Sequence, residues 1–276
     1  MNDAVSVVIL TKNSARTLEK CLRSVLEQDP GEILIIDGQS TDGTTEIARR
    51  FGVRVISEFA HSLGFCRQLG VSSVSGAYVM FVDSDVELSR CCISTMRHEL
   101  EKYGWDGVHA KLRNTKNISY WQRAEDDKFR HQYATVGPIS KIDTIAALFR
   151  REILLKYPFD PQLKESSEDA DLCLRLISAN HKLGVSSSVA YHSHRQEFSA
   201  FARQRFGYGL GSARMYAKYG DARIILVPLV SALSRTLRSL PSRRCSYVPY
   251  YAADGVITFA GIVAGLSATR QQENHD

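Results

Sequence analysis

Two aspartates stand at the end of an apolar run, because Asp83 and Asp85 follow the residues YVMFV with Ser84 between them. A short run of this composition predicts a buried strand. Two carboxylates at its end would form an anionic pocket of hard oxygen ligands, which suits a divalent cation that also holds a diphosphate. A tight turn capped by aspartates carries the same residues, so the pair alone predicts either structure.

Carboxylates also end another strand and open a helix. Asp37 ends the apolar run EILII, where its carboxylate can accept a hydrogen bond from a base N–H or a ribose hydroxyl. Glu168 and Asp169 begin a predicted helix over residues 168–179. The helix dipole by itself favours acids at that end. Asp169 can also act as a general base if an acceptor hydroxyl comes within hydrogen-bond reach.

Histidines and arginines follow the last predicted strand. His192 and His194 are two residues apart in an extended segment, so their side chains point to opposite sides and do not bind one metal together. One of them can complete the cation site, or act as an ordinary hydrogen-bonding group. Arg205 lies on the next predicted helix with Arg203 and Arg214. These arginines either neutralise a phosphate or form a solvated face.

The elements that must position these side chains alternate between strand and helix. We predict strands at 5–10, 33–36, 53–57 and 78–82, with helices between them. This alternation is typical of an α/β protein with a mostly parallel sheet flanked by helices. Because ligands of such sheets bind at the carboxyl ends of the strands, the polar loops after the first, second and fourth strands should converge on one crevice.

The C-terminal part of the chain differs in charge and in apolar pattern. Residues 203–244 contain nine basic residues and one acid, which indicates an anionic partner. We predict one domain over 1–220 and a helical, amphipathic and basic region over 221–276. A helical projection of residues 226–240 places five leucines and a valine on one face, with Arg235 and Arg238 opposite. Such a helix packs on the domain or lies in the plane of an anionic membrane surface.

The composition narrows the class of protein. With 276 residues, 44% of them hydrophobic, the chain is neither disordered nor a small disulfide-rich module. The six cysteines include no CxxC pair, and the first residues do not resemble a signal peptide, so we expect a cytoplasmic protein with reduced thiols. Residues 250–269 contain Asp254 and three glycines, so we expect no membrane span there.

The order of these motifs resembles family 2 glycosyltransferases of the GT-A fold. The resemblance covers residues 5–195 and rests on VSVVILTKN, EILIIDGQSTDGT, Gly64 to Arg67, FVDSD and FDPQLKESSEDADLCLRL, in that order. It implies inverting transfer of a sugar from a UDP- or GDP-linked donor to an acceptor hydroxyl, with Mg²⁺ or Mn²⁺ as cofactor. RQRFGYG stands in the region where processive synthases carry QxxRW, which favours transfer of a single sugar.

The same resemblance implies roles for individual residues. Asp85 would bind the metal, and His192 would be a further metal or phosphate ligand. Asp169 would be the catalytic base, with Glu168 beside it on the acceptor side. The implied nucleotide-binding residues are Thr11, Asn13, Asp37 at the base, Arg67 near the base and Asp83 near the ribose.

Other functions have less support from the sequence. A sugar nucleotidyltransferase needs a glycine-rich loop after the first strand, and a dinucleotide-dependent oxidoreductase needs G-x-G-x-x-G there, but TKNSARTL contains no glycine. A non-catalytic nucleotide-sugar-binding scaffold remains an alternative, although Asp83, Asp85 and Asp169 are all present. Nucleic-acid binding is disfavoured, because the basic C-terminal residues alternate with an apolar stripe and not with stacking aromatics. A lipid-linked acceptor at the cytoplasmic face of a membrane fits this region.

Overall fold

The computed structural model describes residues 4–58, 62–116, 119–163, 166–241 and 243–273. The chain forms two compact units. The first comprises residues 1–116, 126–162 and 168–193, and the second comprises 117–125, 163–167 and 194–276. The division therefore falls near residue 194, earlier than the boundary at 220 that the change in composition suggested, and the second unit includes two short segments from the middle of the chain.

The first half of the first unit has the expected strand–helix alternation. Four parallel strands lie in the order β3-β2-β1-β4. The strands are β1 (Val5–Thr11), β2 (Glu32–Asp37), β3 (Arg54–Ser57) and β4 (Tyr78–Val82). The intervening helices are α1 (Leu18–Leu26), α2 (Thr44–Arg50) and α3 (Leu63–Ser73). Thr11 pairs with Asp37 at the ends of their strands, so the carboxyl ends of β1 and β2 share one edge.

The second half turns the sheet into a mixed one. Its strands are β5 (Val86–Leu88), β6 (Gly107–Asn114), β7 (Gly137–Ile139), β8 (Ala146–Arg150) and β9 (Leu183–His192). Strand β8 runs antiparallel to both β4 and β6, and the order continues β4-β8-β6-β9-β5, with β7 on β9. The helices here are α4 (Cys92–Tyr103), α5 (Tyr120–Gln132), α6 (Arg151–Lys156) and α7 (Glu168–Ser178). The parallel arrangement thus holds for β1 to β4 and for the β6–β9 pair.

Apolar side chains cover both faces of this sheet. Along β1, Val7 and Ile9 belong to one buried cluster and Val8 to the other, because successive side chains of a strand point to opposite faces. Helix α3 approaches β1 closely at Gly70, where an added Cβ would lie 2.5 Å from Cγ1 of Val8. The residues YVMFV of β4 are all buried, so the aspartates that follow them emerge from a rigid strand.

The second unit contains the C-terminal helices α8 (Phe198–Tyr219), α9 (Arg223–Ser239) and α10 (Val248–Glu273), with a 3₁₀ turn at Arg243–Tyr247. Helix α9 begins before the apolar stripe, so Pro228 lies inside the helix. Among the described residues, the segment Arg244–Ala268 is long and apolar enough to cross a membrane, and 33% of its apolar window is buried. Asp254 and the glycines, from which the sequence analysis expected no membrane span, lie within this continuous helix. All six cysteines lie in described parts of the chain and are free.

Candidate active site

The turn between β4 and β5 carries the paired aspartates. The backbone N–H of Asp83 donates to the carbonyl of Ile145 (2.9 Å), and the carbonyl of Asp83 accepts from the N–H of Val86 (3.0 Å). Ser84 Oγ donates to Ser14 Oγ (2.8 Å), which ties this turn to the loop after β1. The turn is therefore held from both sides, so its carboxylates have a defined direction.

Three potential metal ligands meet at this turn. One ligand atom each of Asp83, Asp85 and His192 lies within 4.8 Å of the others. The antiparallel pairing of β5 with β9 puts His192 opposite Val86, and the Nε2 atom of His192 lies 3.2 Å from Oδ1 of Asp85. Two carboxylates and an imidazole suit Mg²⁺ or Mn²⁺, so the donor set fits the implied cation.

The charges around Asp83 oppose one another. Burial raises the pKa of Asp83 to about 6, while the nearby Arg67 guanidinium lowers it and the Asp85 carboxylate raises it. A divalent cation beside both carboxylates would favour their ionised forms. The turn thus combines two acids that repel each other when no positive charge lies between them.

The loops after β1 and β2 lock together around Asp37. The carboxylate of Asp37 accepts hydrogen bonds from Thr11 Oγ1 (2.7 Å), the Ser40 N–H (2.9 Å) and Ser40 Oγ (2.6 Å). Asn13, with φ of 51°, accepts from the Thr41 N–H (2.9 Å), and its own N–H donates to Ser40 Oγ (2.8 Å). The structure therefore brings Thr11, Asn13 and Asp37 together, and Asp37, only 1% exposed, holds the shape of the loop.

Arg67 and Glu168 form a buried ion pair across 101 residues of sequence. Arg67 lies on α3 and Glu168 at the start of α7, and they are 7% and 3% exposed. The start of α3 packs close to the chain before α7, because an added Cβ on Gly64 would lie 2.3 Å from the Asp160 carbonyl. Arg67 therefore pairs with Glu168, a contact that the sequence did not indicate. The Oε2 atom of Glu168 is buried and has no hydrogen-bond partner among the described residues.

Burial and neighbouring charges shift the pKa of Asp169, the residue that the resemblance implies as the base. Burial raises the pKa of Asp169 to about 7, and the charge of Glu168 raises it further, whereas Lys141 and Arg67 lower it. A base functions best when its pKa lies near the working pH. The residue as a whole is half-buried.

Two further residues near Asp169 were missed by the sequence analysis. Loss of solvent around the Lys141 ammonium lowers its pKa, but the charges of Asp169 and Asp143 outweigh this effect and raise it. Asp143 accepts a hydrogen bond from Tyr133 Oη (2.6 Å), and the ring of Tyr133 stacks on His109 at 4.2 Å. Lys141 and Asp143 lie in an irregular segment before β8 that contains no motif, so no local pattern could have revealed them.

Arg205 has a different environment from the one expected of a phosphate ligand. It lies in the second unit, is 1% exposed, and pairs with Glu125 and with Asp254 at 2.7 Å. Tyr250 Oη also lies 3.1 Å from its guanidinium. Two carboxylates already balance this buried charge, which favours a structural role for Arg205 in the second unit over contact with a phosphate.

Comparison with known proteins identifies the family. Residues 6–157 match the profile of Glycosyl transferase family 2, which is more than half of the chain. Glycosyltransferase AglE of Haloferax volcanii is 35% identical over 224 residues, which cover 77% of this chain and 74% of AglE. The chain therefore belongs to glycosyl transferase family 2. Glycosyltransferase GlyA of Streptococcus pneumoniae is 26% identical over 147 residues, which cover 50% of this chain but only 21% of GlyA.

Solved structures show the fold. The chain resembles residues 1–349 of TarS from S. aureus with a TM-score of 0.55 and 16% identity, over 98% of this chain and 92% of that one. That TarS fragment has also been solved in complex with UDP-GlcNAc. The structure of GalNAc-T7 with UDP, GalNAc and Mn²⁺ gives a TM-score of 0.59 and 17% identity over 70% of this chain and 44% of that one. The fold is thus GT-A, with additional C-terminal helices.

Proposed function

We propose that this protein transfers one sugar from a UDP- or GDP-linked donor to an acceptor hydroxyl with inversion at the anomeric carbon. The observation that carries the proposal is the Asp83–Asp85–His192 cluster, linked through the charge of Arg67 to the Glu168–Asp169 pair. The family match favours sugar transfer over a sugar nucleotidyltransferase. The raised pKa of Asp169 favours a catalytic protein over a non-catalytic scaffold, because strongly perturbed acids cluster at active sites.

The donor side is formed by loops at the carboxyl ends of β1, β2 and β4. The loop built on Thr11, Asn13 and Asp37 would hold the nucleoside, and the hydrogen bonds around Asp37 keep that loop in shape. Asp85 and His192, with Asp83, would hold Mg²⁺ or Mn²⁺, which when bound neutralises charge on the leaving diphosphate. The UDP and Mn²⁺ of the GalNAc-T7 structure support this choice of ligands.

The acceptor side is Asp169 with Glu168. Asp169 takes the proton of the acceptor hydroxyl, and the acceptor oxygen forms a bond to the anomeric carbon on the face opposite the diphosphate. The bond from that carbon to the phosphate oxygen breaks, and its electron pair leaves with the nucleoside diphosphate. The unpartnered Oε2 of Glu168 is available to accept a hydrogen bond from a second acceptor hydroxyl.

The acceptor we propose is lipid-linked, and the protein would act as a peripheral enzyme at the cytoplasmic face of a membrane. The support is the basic segment 203–244 and the apolar side chains that α9 leaves in solvent. RQRFGYG in place of QxxRW favours one sugar per acceptor.

A donor screen tests the proposal. Release of nucleoside diphosphate is measured for UDP- and GDP-sugars with Mn²⁺, with Mg²⁺ and with a chelator. We expect one donor to turn over with metal and none to turn over with the chelator. Asp85→Ala should abolish this release, while Glu46→Ala, which removes an exposed acid, should not change it. Donor binding without turnover of any donor would favour the scaffold.

A further inference from the structure

Helix α9 exposes its apolar face, while the residues that it buries are the small Ala232 and Ser239. Leu226, Val230, Leu233, Leu237 and Leu240 are each 55–62% exposed. A helix that packs on a soluble protein shows the opposite arrangement. Large contiguous apolar patches are rare on soluble monomers and mark sites of contact with another molecule.

The buried face of α9 is made of small and polar residues. Ala232 and Ser239 are 7% and 0% exposed, and Arg235 points inward to Asp254 of α10 at 3.3 Å. The expected arginine face is therefore not a free face, because one of its two arginines neutralises a carboxylate of the neighbouring helix. Arg238 remains exposed.

Contacts between small residues join the helices of the second unit. An added Cβ on Gly255 would lie 2.5 Å from that of Ala232, which brings α9 against α10. Gly209 and Gly261 similarly allow α8 and α10 to touch along their backbones. Helices that meet through small residues and direct large aliphatic side chains outward are typical of packing in lipid.

From these observations we infer that the apolar face of α9, residues 226–240, inserts into one leaflet of an anionic bilayer with the helix in the membrane plane. The stripe is about 21 Å long at 1.5 Å per residue, shorter than the roughly 30 Å hydrocarbon core. Arg223 precedes it and Arg238 and Arg244 lie near its other end, which favours an in-plane position over a span. Arg205 and Arg235 of segment 203–244 are paired with carboxylates, but Arg203, Lys218, Arg223 and Arg238 are exposed and match negatively charged lipid. This inference deepens the membrane association that is part of the proposed function.

Vesicle flotation of the full chain tests the inference, with phosphatidylcholine vesicles that contain or lack phosphatidylglycerol. The stripe variant is Val230→Gln with Leu233→Gln and Leu237→Gln. The matched control replaces three exposed leucines of the first unit by glutamine, at Leu26, Leu155 and Leu174, which are 42–46% exposed. We expect the stripe variant to lose at least about tenfold in binding to anionic vesicles, because three apolar side chains leave the bilayer. The control should bind like the wild type.

A second measurement does not depend on loss of binding. In Leu233→Trp, lipids brominated in their acyl chains should quench the added fluorescence, whereas the added fluorescence of Leu26→Trp should not respond.

The inference is overturned if the wild-type protein does not bind anionic vesicles at low salt, if the stripe variant floats normally, or if the stripe instead joins two copies of the chain in solution. Hydrolysis of the donor is measured in parallel, without vesicles. Intact hydrolysis with failed flotation contradicts only the membrane surface, whereas failed hydrolysis with normal flotation contradicts the proposed chemistry.

Discussion

Replacing Arg67 by alanine should destabilise the first unit and change the pH dependence of turnover together. Both side chains of the Arg67–Glu168 pair are nearly inaccessible, at 9% and 4% exposed. Removing one partner of a buried pair costs about 3–5 kcal/mol, because the remaining charge has lost its counterion. Glu168 is especially sensitive, since its other oxygen already has no hydrogen-bond partner among the described residues.

The same change acts on two other acids. The Arg67 guanidinium lowers the pKa of Asp83 and that of Asp169, so its removal should raise both. A base works in its ionised form, and the acidic limb of the pH–rate profile should therefore move to higher pH in Arg67→Ala.

Urea unfolding and the pH–rate profile of donor turnover measure these two effects. Arg49→Ala, which removes an arginine whose side chain is 71% exposed, should stay within about 0.5 kcal/mol of wild type. Arg67→Met with Glu168→Leu should recover much of the stability lost in Arg67→Ala, because it removes both charges. A cost below about 1 kcal/mol for Arg67→Ala, with an unmoved pH profile, would refute the reasoning.

Three more substitutions probe the remaining features. Asp85→Ala should abolish Mn²⁺-dependent binding of UDP or GDP in calorimetry, and unchanged affinity would contradict the metal site. Asp169→Asn should keep donor affinity but lose about 10²–10⁴ in turnover, and near-normal transfer would leave Asp169 a helix-start carboxylate. Because the folded-state pKa of Asp169 is raised to about 7, its ionisation opposes folding as pH rises from about 4 toward 7. Asp169→Asn should therefore unfold at higher urea than wild type at pH 8, and the difference should vanish below pH 4. Arg205→Met should lower stability by about 3–5 kcal/mol, since Glu125 and Asp254 lose their shared counterion, and a silent substitution would contradict that pairing.

Local sequence patterns were sufficient to predict the strands that lead to the donor-side residues. The apolar runs before Asp37 and Asp83 are strands, and they end at Asp37 and at Val82, because buried strands need continuous apolar side chains and the turns that follow need polar ones. The clustering of Asp83 and Asp85 with His192 depends on the pairing of β5 with β9. His192 was expected to join this site only because of the family resemblance.

Features that depend on distant pairing were beyond the sequence. Strand β8 lies antiparallel between β4 and β6. The apolar pattern of a buried strand is the same for either direction, so it could not predict this arrangement. Arg67 pairs with Glu168, which is 101 residues away in the sequence. The two carboxylates that pair with Arg205 come from two other helices. Helix α9 was predicted with the right stripe, but a projection shows only that two faces differ and not which one is buried.

The stereochemistry of donor hydrolysis tests the central claim most directly, because water can replace the acceptor. With a UDP- or GDP-linked α-sugar and metal, proton NMR follows the first sugar released before its anomers interconvert. Attack on the face opposite the diphosphate, assisted by Asp169, predicts that the β-anomer appears first and that Asp169→Asn releases it far more slowly. First appearance of the α-anomer would contradict the account.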